Sequence, residues 1–219
     1  MKAENDINLQ KKSTADDAAG ADQPGTGRGA GWSVFERASS STLAQILVLA
    51  ALVLICYGRT VTSYFLADDF GEVSYTSRIF NGEPGLLWSN WTGNYMQIPG
   101  MNVYRPWLLM SLVFDYLIYH ANAWGYYVTN LVYFTGCVLL LYCATRLLTK
   151  RWGHSVSKTC AFFTAAFFGL NPLRCESISW VVGRVDIICC FFYLASLVLF
   201  LLSRERWKGF LVWLGISSF

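Results

Sequence analysis

The residues best suited to chemistry are six charged side chains in a chain that has few. Asp68 and Asp69 stand side by side in Leu66-Ala-Asp-Asp-Phe70. Adjacent carboxylates repel, so the pair favours keeping one proton, which suits a proton acceptor or a metal ligand. The plainer alternative is that two acids solvate the exit of a helix. Arg105 stands in Tyr104-Arg-Pro106. Proline there is ordinary helix-start chemistry, and an arginine at headgroup depth attracts lipid phosphate. Glu176, Arg184 and Asp186 fall in Asn171-Pro-Leu-Arg-Cys-Glu-Ser-Ile-Ser-Trp-Val-Val-Gly-Arg-Val-Asp186, between two apolar runs. Ionisable groups at membrane depth are costly, so these are functional candidates; otherwise they form an internal ion network that fixes helix packing.

The elements that hold these residues follow from composition. The chain has 219 residues, 54% hydrophobic and only 14% charged. A soluble domain carries about 25% charge, so an ordinary soluble or disordered chain is excluded and a polytopic membrane protein is expected. Net charge is +3 and the basic residues are scattered, which gives no nucleic-acid footprint. The cysteines have no zinc or redox spacing, and Cys175 alone lies in a polar segment.

Residues 1–40 are rich in Ala, Gly, Asp, Lys and Ser, with Gly25-Thr-Gly-Arg-Gly-Ala-Gly31, and read as a disordered cytoplasmic tail. Residues 41–219 read as one transmembrane module. Its apolar runs are Leu43–Tyr57, Pro106–Tyr119, Tyr126–Leu148, Thr159–Leu170 and Ile187–Leu202. The last run, Gly209 to Phe219, is too short to span, so the chain is expected to be the N-terminal piece of something longer, or a truncated product. Residues 59–106 are polar and aromatic. Trp88, Trp91, Tyr95, Tyr104 and Trp107 suit short interfacial helices. No strand-type alternation is long enough for a barrel, so the fold class is all-α: a polytopic transmembrane helical bundle with interfacial helices in the first outer loop.

Charge sets the expected sidedness. Arg146, Lys150, Arg151 and Lys158 share a spacer without an acid, and Arg204–Lys208 carries three bases and one acid. The loop 59–106 carries three bases and four acids. By the positive-inside rule both basic spacers are cytoplasmic, with the N-terminus, and the loop is outside. One of the two runs between 106 and 146 then does not cross. Pro106–Tyr119 is the candidate, because Asp115 at the bilayer centre costs about 2.5–3.5 kcal/mol. The competing reading makes 106–148 a two-helix hairpin and inverts everything after it. Asn90-Trp-Thr92 is a glycosylation sequon in the outer loop, a pattern that also arises by chance.

Taken together, Asp-Asp-Phe after the first apolar run, then Tyr-Arg-Pro, then Pro-x-x-x-Glu-Ser with Val-Gly-Arg-x-Asp, resemble the GT-C superfamily of membrane glycosyltransferases. The third motif is most similar to the transmembrane-and-TPR protein O-mannosyltransferases and their bacterial relatives, N-terminal part only. There the segment typically reads His-Pro-x-His-Thr-Glu-Ala-Val-Ala-x-Val-Val-Gly-Arg-Ala-Asp. This chain has Pro172, Glu176, Val181, Val182, Gly183, Arg184 and Asp186 in register. It departs at Asn171 and Arg174, where histidines are usual, at Trp107, where Leu is usual, and at Tyr127, where a His-x-x-Asn pattern ending at Asn130 has His.

The resemblance implies a polyprenyl- or dolichyl-phosphate-linked sugar as donor. Transfer would be to a protein or glycan acceptor hydroxyl on the outer or luminal face of a bacterial inner membrane or endoplasmic reticulum. Asp68 or Asp69 would take the acceptor proton. Arg105 and Arg184 would hold the donor phosphate. Glu176 and Asp186 would form an acid cluster, orienting those arginines or holding a divalent Mg or Mn ion; some members need a metal and others none. Two rivals stand beside this: a non-enzymatic polytopic protein, such as a transporter fragment or assembly subunit, and an inactive truncated remnant.

Overall fold

A computed structural model describes residues 41–97, 100 and 103–203. The tail expected over 1–40 and the run 209–219 lie outside the described residues. Among the described residues every regular element is helical. They are α1 (Thr42–Tyr57), α2 (Asp69–Phe80), α3 (Gly85–Thr92), α4 (Pro106–Tyr119), α5 (Ala123–Leu148), α6 (His154–Gly169), α7 (Cys175–Ser179) and α8 (Arg184–Ser203). Short 3-10 turns lie between them. Three helical stretches are long and apolar enough to cross a membrane: Thr42–Thr62, Ala123–Leu148 and Arg184–Ser203. The chain is a membrane protein with an all-α bundle fold.

α5 is the centre. It buries residues on several sides, Tyr126, Tyr127, Leu131, Phe134, Val138 and Tyr142 among them. α1 instead buries one stripe, Gln45, Leu49, Val53 and Tyr57, each one helical turn from the next, and leaves Leu43, Leu47 and Ile55 exposed. A helix apolar all round with only a stripe covered by protein has its other face in lipid.

Side-chain hydrogen bonds fix which ends meet. At one end the Tyr142 hydroxyl donates to Gln45 Oε1 (2.7 Å), Arg146 donates to Thr42 Oγ1 (3.1 Å), and the Ser157 hydroxyl donates to the Arg146 carbonyl (3.1 Å). At the other end the Tyr57 hydroxyl donates to the Asn171 carbonyl (3.0 Å) and the Tyr127 hydroxyl to the Tyr64 carbonyl (2.7 Å). Thus α1 and α6 run antiparallel to α5. α8 runs parallel to it, starting where Arg184 meets Asn130 (2.5 Å). The first loop and the segment 171–184 therefore share one end of the bundle, and the basic spacer 146–158 lies at the other.

α4 matches the expected run residue for residue, and it folds back against α5 through a tight turn. His120 adopts φ 52° there, and the ring of Tyr119 lies over Gly125, where a Cβ would sit 2.1 Å from it. No larger residue fits without moving that ring. The other apolar helices begin earlier than hydropathy alone indicates. α6 starts at His154 rather than Thr159, because Gly153 at φ 99° releases the chain and Ser157 bonds back to α5. Of the loop's aromatic residues expected at the interface, Tyr95 departs from that position by turning inward, and Trp88 does not. Trp88 is 72% exposed, whereas Tyr95 is 3% exposed and bonded inward.

Candidate functional site

Asp68 and Asp69 part company at the start of α2. Ala67 takes φ 40° just before them, and Asp68 precedes the helix with its side chain exposed and making no capping bond. Asp69 turns inward and is fully buried. One of its oxygens accepts from the Leu66 amide (3.0 Å), and the other from the Val182 amide (3.1 Å), 113 residues along the chain. That second bond joins the first motif to the third. Burial pushes the Asp69 carboxyl above the usual range, against the pull of the backbone N–H groups.

One turn on, Glu72 is also buried and accepts a short hydrogen bond from the Tyr95 hydroxyl. Burial pushes it up to about 7, opposed by the Tyr95 bond and by the charge of Arg105 nearby. Both acids lie in the first turn of α2, where the helix dipole favours negative charge. The second motif thus reaches the first: Arg105, half-buried before α4, is the cation whose field Glu72 feels.

The third motif is built around Arg184. Its guanidinium is completely buried and pairs with Asp115 at 2.6 Å. It also donates to Asn130 Oδ1 (2.5 Å), the Ser111 hydroxyl (3.3 Å) and the Tyr126 carbonyl (2.7 Å). Asp115 accepts in addition from the Thr129 hydroxyl (2.7 Å). Asn130 completes the frame by donating to the carbonyls of Ile178 (3.1 Å) and Trp180 (3.3 Å). One buried network therefore ties α4, α5, the turn 178–182 and α8. Gly183 is required by closeness, since a Cβ there would sit 3.1 Å from Ser177 Cα and 3.3 Å from two carbonyl oxygens.

Glu176 and Asp186 are exposed on the same segment, and the Ser177 hydroxyl donates to Asp186 (3.4 Å). Among the described residues no three His, Cys, Asp or Glu side chains converge as a metal site. Two exposed carboxylates suit at most a hydrated ion shared with a phosphate, not a closed protein cage. The sequon asparagine is buried, with its amide nitrogen closed off from the surface. Asn90 is 1% exposed, with its carbonyl oxygen accepting from the Met96 amide (2.9 Å).

All six nominated residues thus lie at one end of the bundle, but they differ in access. Asp68, Glu176 and Asp186 are open, Arg105 is half-buried, and Asp69 and Arg184 are sealed. Sequence reasoning missed Glu72 and Asp115 as partners. The signal for Glu72 was its spacing of three from Asp69 on one helix face. For Asp115 it was a lone acid in one apolar helix and a lone arginine in another, since charges buried at that depth occur in pairs.

No family model and no solved structure matches the chain. Curated proteins do. It is 25% identical over 179 residues to a protein O-mannosyl-transferase of Caenorhabditis elegans, covering 78% of this chain and 25% of that protein. It is 23% identical over 165 residues to the protein O-mannosyl-transferase TMTC1 of Homo sapiens, 73% of this chain and 18% of that one. To the protein O-mannosyl-transferase Tmtc3 of Drosophila melanogaster it is 23% identical over 171 residues, 70% of this chain and 18% of that one. The resemblance drawn from three short motifs thus extends over most of the chain. The chain spans a quarter or less of the length of these relatives.

Proposed function

We propose that the chain carries the outer-face catalytic end of a membrane glycosyltransferase. The enzyme moves a sugar, of the mannosyl type in its relatives' names, from a polyprenyl- or dolichyl-phosphate donor to an acceptor hydroxyl. The observation that carries the reading is the Asp69–Val182 hydrogen bond, because it brings an exposed Asp68 beside the Val-Gly-Arg segment. The homologues named as O-mannosyl-transferases support it.

In this reading the two aspartates have different duties. Asp68 is the base: the acceptor oxygen attacks the anomeric carbon, Asp68 takes its proton, and the sugar–phosphate bond breaks with its electrons on the lipid phosphate. A single displacement inverts the anomeric centre. Asp69 is a positioning residue, its oxygens spent on two backbone amides. Arg105 answers the charge of the leaving phosphate. Arg184 serves the site through the turn it holds, since its donors are engaged within the protein. Glu176 and Asp186 are the residues that would face a divalent Mg or Mn ion, which would add positive charge at the phosphate. The site faces the outside or lumen, and the basic spacer 146–158 faces the cytoplasm.

The test is sugar transfer in native membranes, with labelled polyprenyl-phosphate mannose and the whole protein. Asp68→Asn should lower transfer by about 10²–10⁴-fold at unchanged protein level. Unchanged transfer would end the base assignment. In sealed vesicles of known orientation, a membrane-impermeant maleimide should label the exposed Cys175 from the outer or luminal face; labelling from the cytoplasmic face alone would overturn the sidedness. The second reading, a non-enzymatic assembly subunit, draws on Arg184 being wholly engaged in packing. It predicts that Asp68→Asn changes nothing while Arg184→Gln disrupts the protein.

A further inference from the structure

At the opposite end of the bundle from Asp68, α1, α5, α6 and α8 line a half-open cavity of about 460 Å³. Its walls are apolar: Ile46, Leu147, Val198 and Leu202. Its rim is basic, formed by Arg146, Lys150 and His154. The volume falls within the roughly 300–1,000 Å³ typical of small-ligand pockets. Arg146 is held in place rather than waving in solvent, since it donates to Thr42 Oγ1 (3.1 Å) and lies over the Tyr142 ring at 5.9 Å. A guanidinium has five N–H donors in a fork that fits phosphate, and that hydrogen bond uses one of them.

We propose that this cavity binds an anionic glycerophospholipid, with its phosphate headgroup at Arg146, Lys150 and His154 and an acyl chain along the apolar wall between the helices. Charge complementarity decides the occupant. Residues 146–158 carry Arg146, Lys150, Arg151 and Lys158 and no acid. A zwitterionic lipid satisfies the apolar wall but brings its own cation to the rim. Basic pockets between transmembrane helices are known to hold anionic headgroups, at about 1 kcal/mol per cation near the surface. The site is separate from the donor-lipid end, and the inference stands whether or not the chain transfers sugar.

Native mass spectrometry of the detergent-solubilised full chain tests it, with phosphatidylglycerol, phosphatidylcholine, polyprenyl phosphate and inorganic phosphate titrated separately. The expected result is one tightly retained phosphatidylglycerol, favoured over phosphatidylcholine, with that preference falling about fivefold for each of Arg146→Gln and Lys150→Gln. Arg151→Gln, a charge of the same spacer that does not line the cavity, should leave the preference unchanged. Lys150→Gln spares the Arg146–Thr42 bond, and an unchanged unfolding midpoint in detergent shows that each variant is folded. Equal loss in Arg151→Gln would mean diffuse surface charge and overturn the proposal. So would equal retention of both lipids, stronger binding of polyprenyl phosphate, competition by inorganic phosphate alone, or no retained lipid, the last meaning that the chain's own residues fill the groove.

Discussion

Two ion pairs in this molecule share a nitrogen–oxygen separation of 2.6 Å and almost nothing else. Arg78 and Glu83 meet at the end of α2, with side chains 54% and 49% exposed. Arg184 and Asp115 meet between α8 and α4, at 0% and 4%. Water and salt can replace every contact of the first pair. For the second, the alternative to the partner is an uncompensated charge in an apolar interior, so the neighbours Ser111, Asn130, Thr129 and the Tyr126 carbonyl are all turned towards it. Distance thus says little about an ion pair's importance; what each partner would face without the other says most.

The comparison is broken most directly by removing one buried partner. Arg184→Gln should destabilise the protein by about 3–5 kcal/mol in detergent unfolding, whereas the double variant Asp115→Leu with Arg184→Met should recover most of that loss. If the single and double variants lost the same amount, the network would be ordinary packing. A smaller effect is expected at the clamp. Asp69→Ala leaves the buried Val182 amide without an acceptor, at about 1–3 kcal/mol, releases the part-buried Leu66 amide to water at a smaller cost, and should increase proteolysis of the 171–183 segment. Asp69→Asn, which keeps one acceptor oxygen, should cost less than Asp69→Ala.

Acidity gives a third contrast. Glu72 is held up at about 7 by burial, above its ordinary 4.5, so the folded protein binds a proton there that the unfolded chain has released. The resulting stability is fully present below pH 4.5 and is lost as pH rises through about 7. Unfolding midpoints at pH 5 and pH 8 should differ in that direction, and Glu72→Gln should reduce the difference. Smallest of all, Arg78→Ala should leave stability unchanged at either pH and at any salt concentration. A measurable loss there would mean that the exposed pair is part of a larger network.

Much of the helical layout was legible in the sequence because hydrophobic runs and their spacing set it. Pro106–Tyr119 is the clearest case, with proline at its start and a polar turn at its end. The start of α6 was not legible, since Gly153 and the Ser157–Arg146 bond decide it and neither is an apolar signal. In the candidate site, the types and order of Asp68, Arg105, Glu176, Arg184 and Asp186 were visible as charges in an apolar chain. Their division of labour was not. Asp68 and Asp69 read as equivalent neighbours, and only the fold turns one outward and seals the other against Val182.

The sequence by itself determined that this is a helical membrane protein, which of its few charges deserve notice, and which glycosyltransferase group it resembles. Composition and helical period suffice for the first two because burying an apolar run in lipid needs no knowledge of its neighbours. Tertiary structure alone decided that Arg184 answers Asp115, that Glu72 leans on Tyr95, and that two motifs 113 residues apart share one hydrogen bond. Those pairings depend on which helix faces meet, and that depends on the packing of the whole bundle.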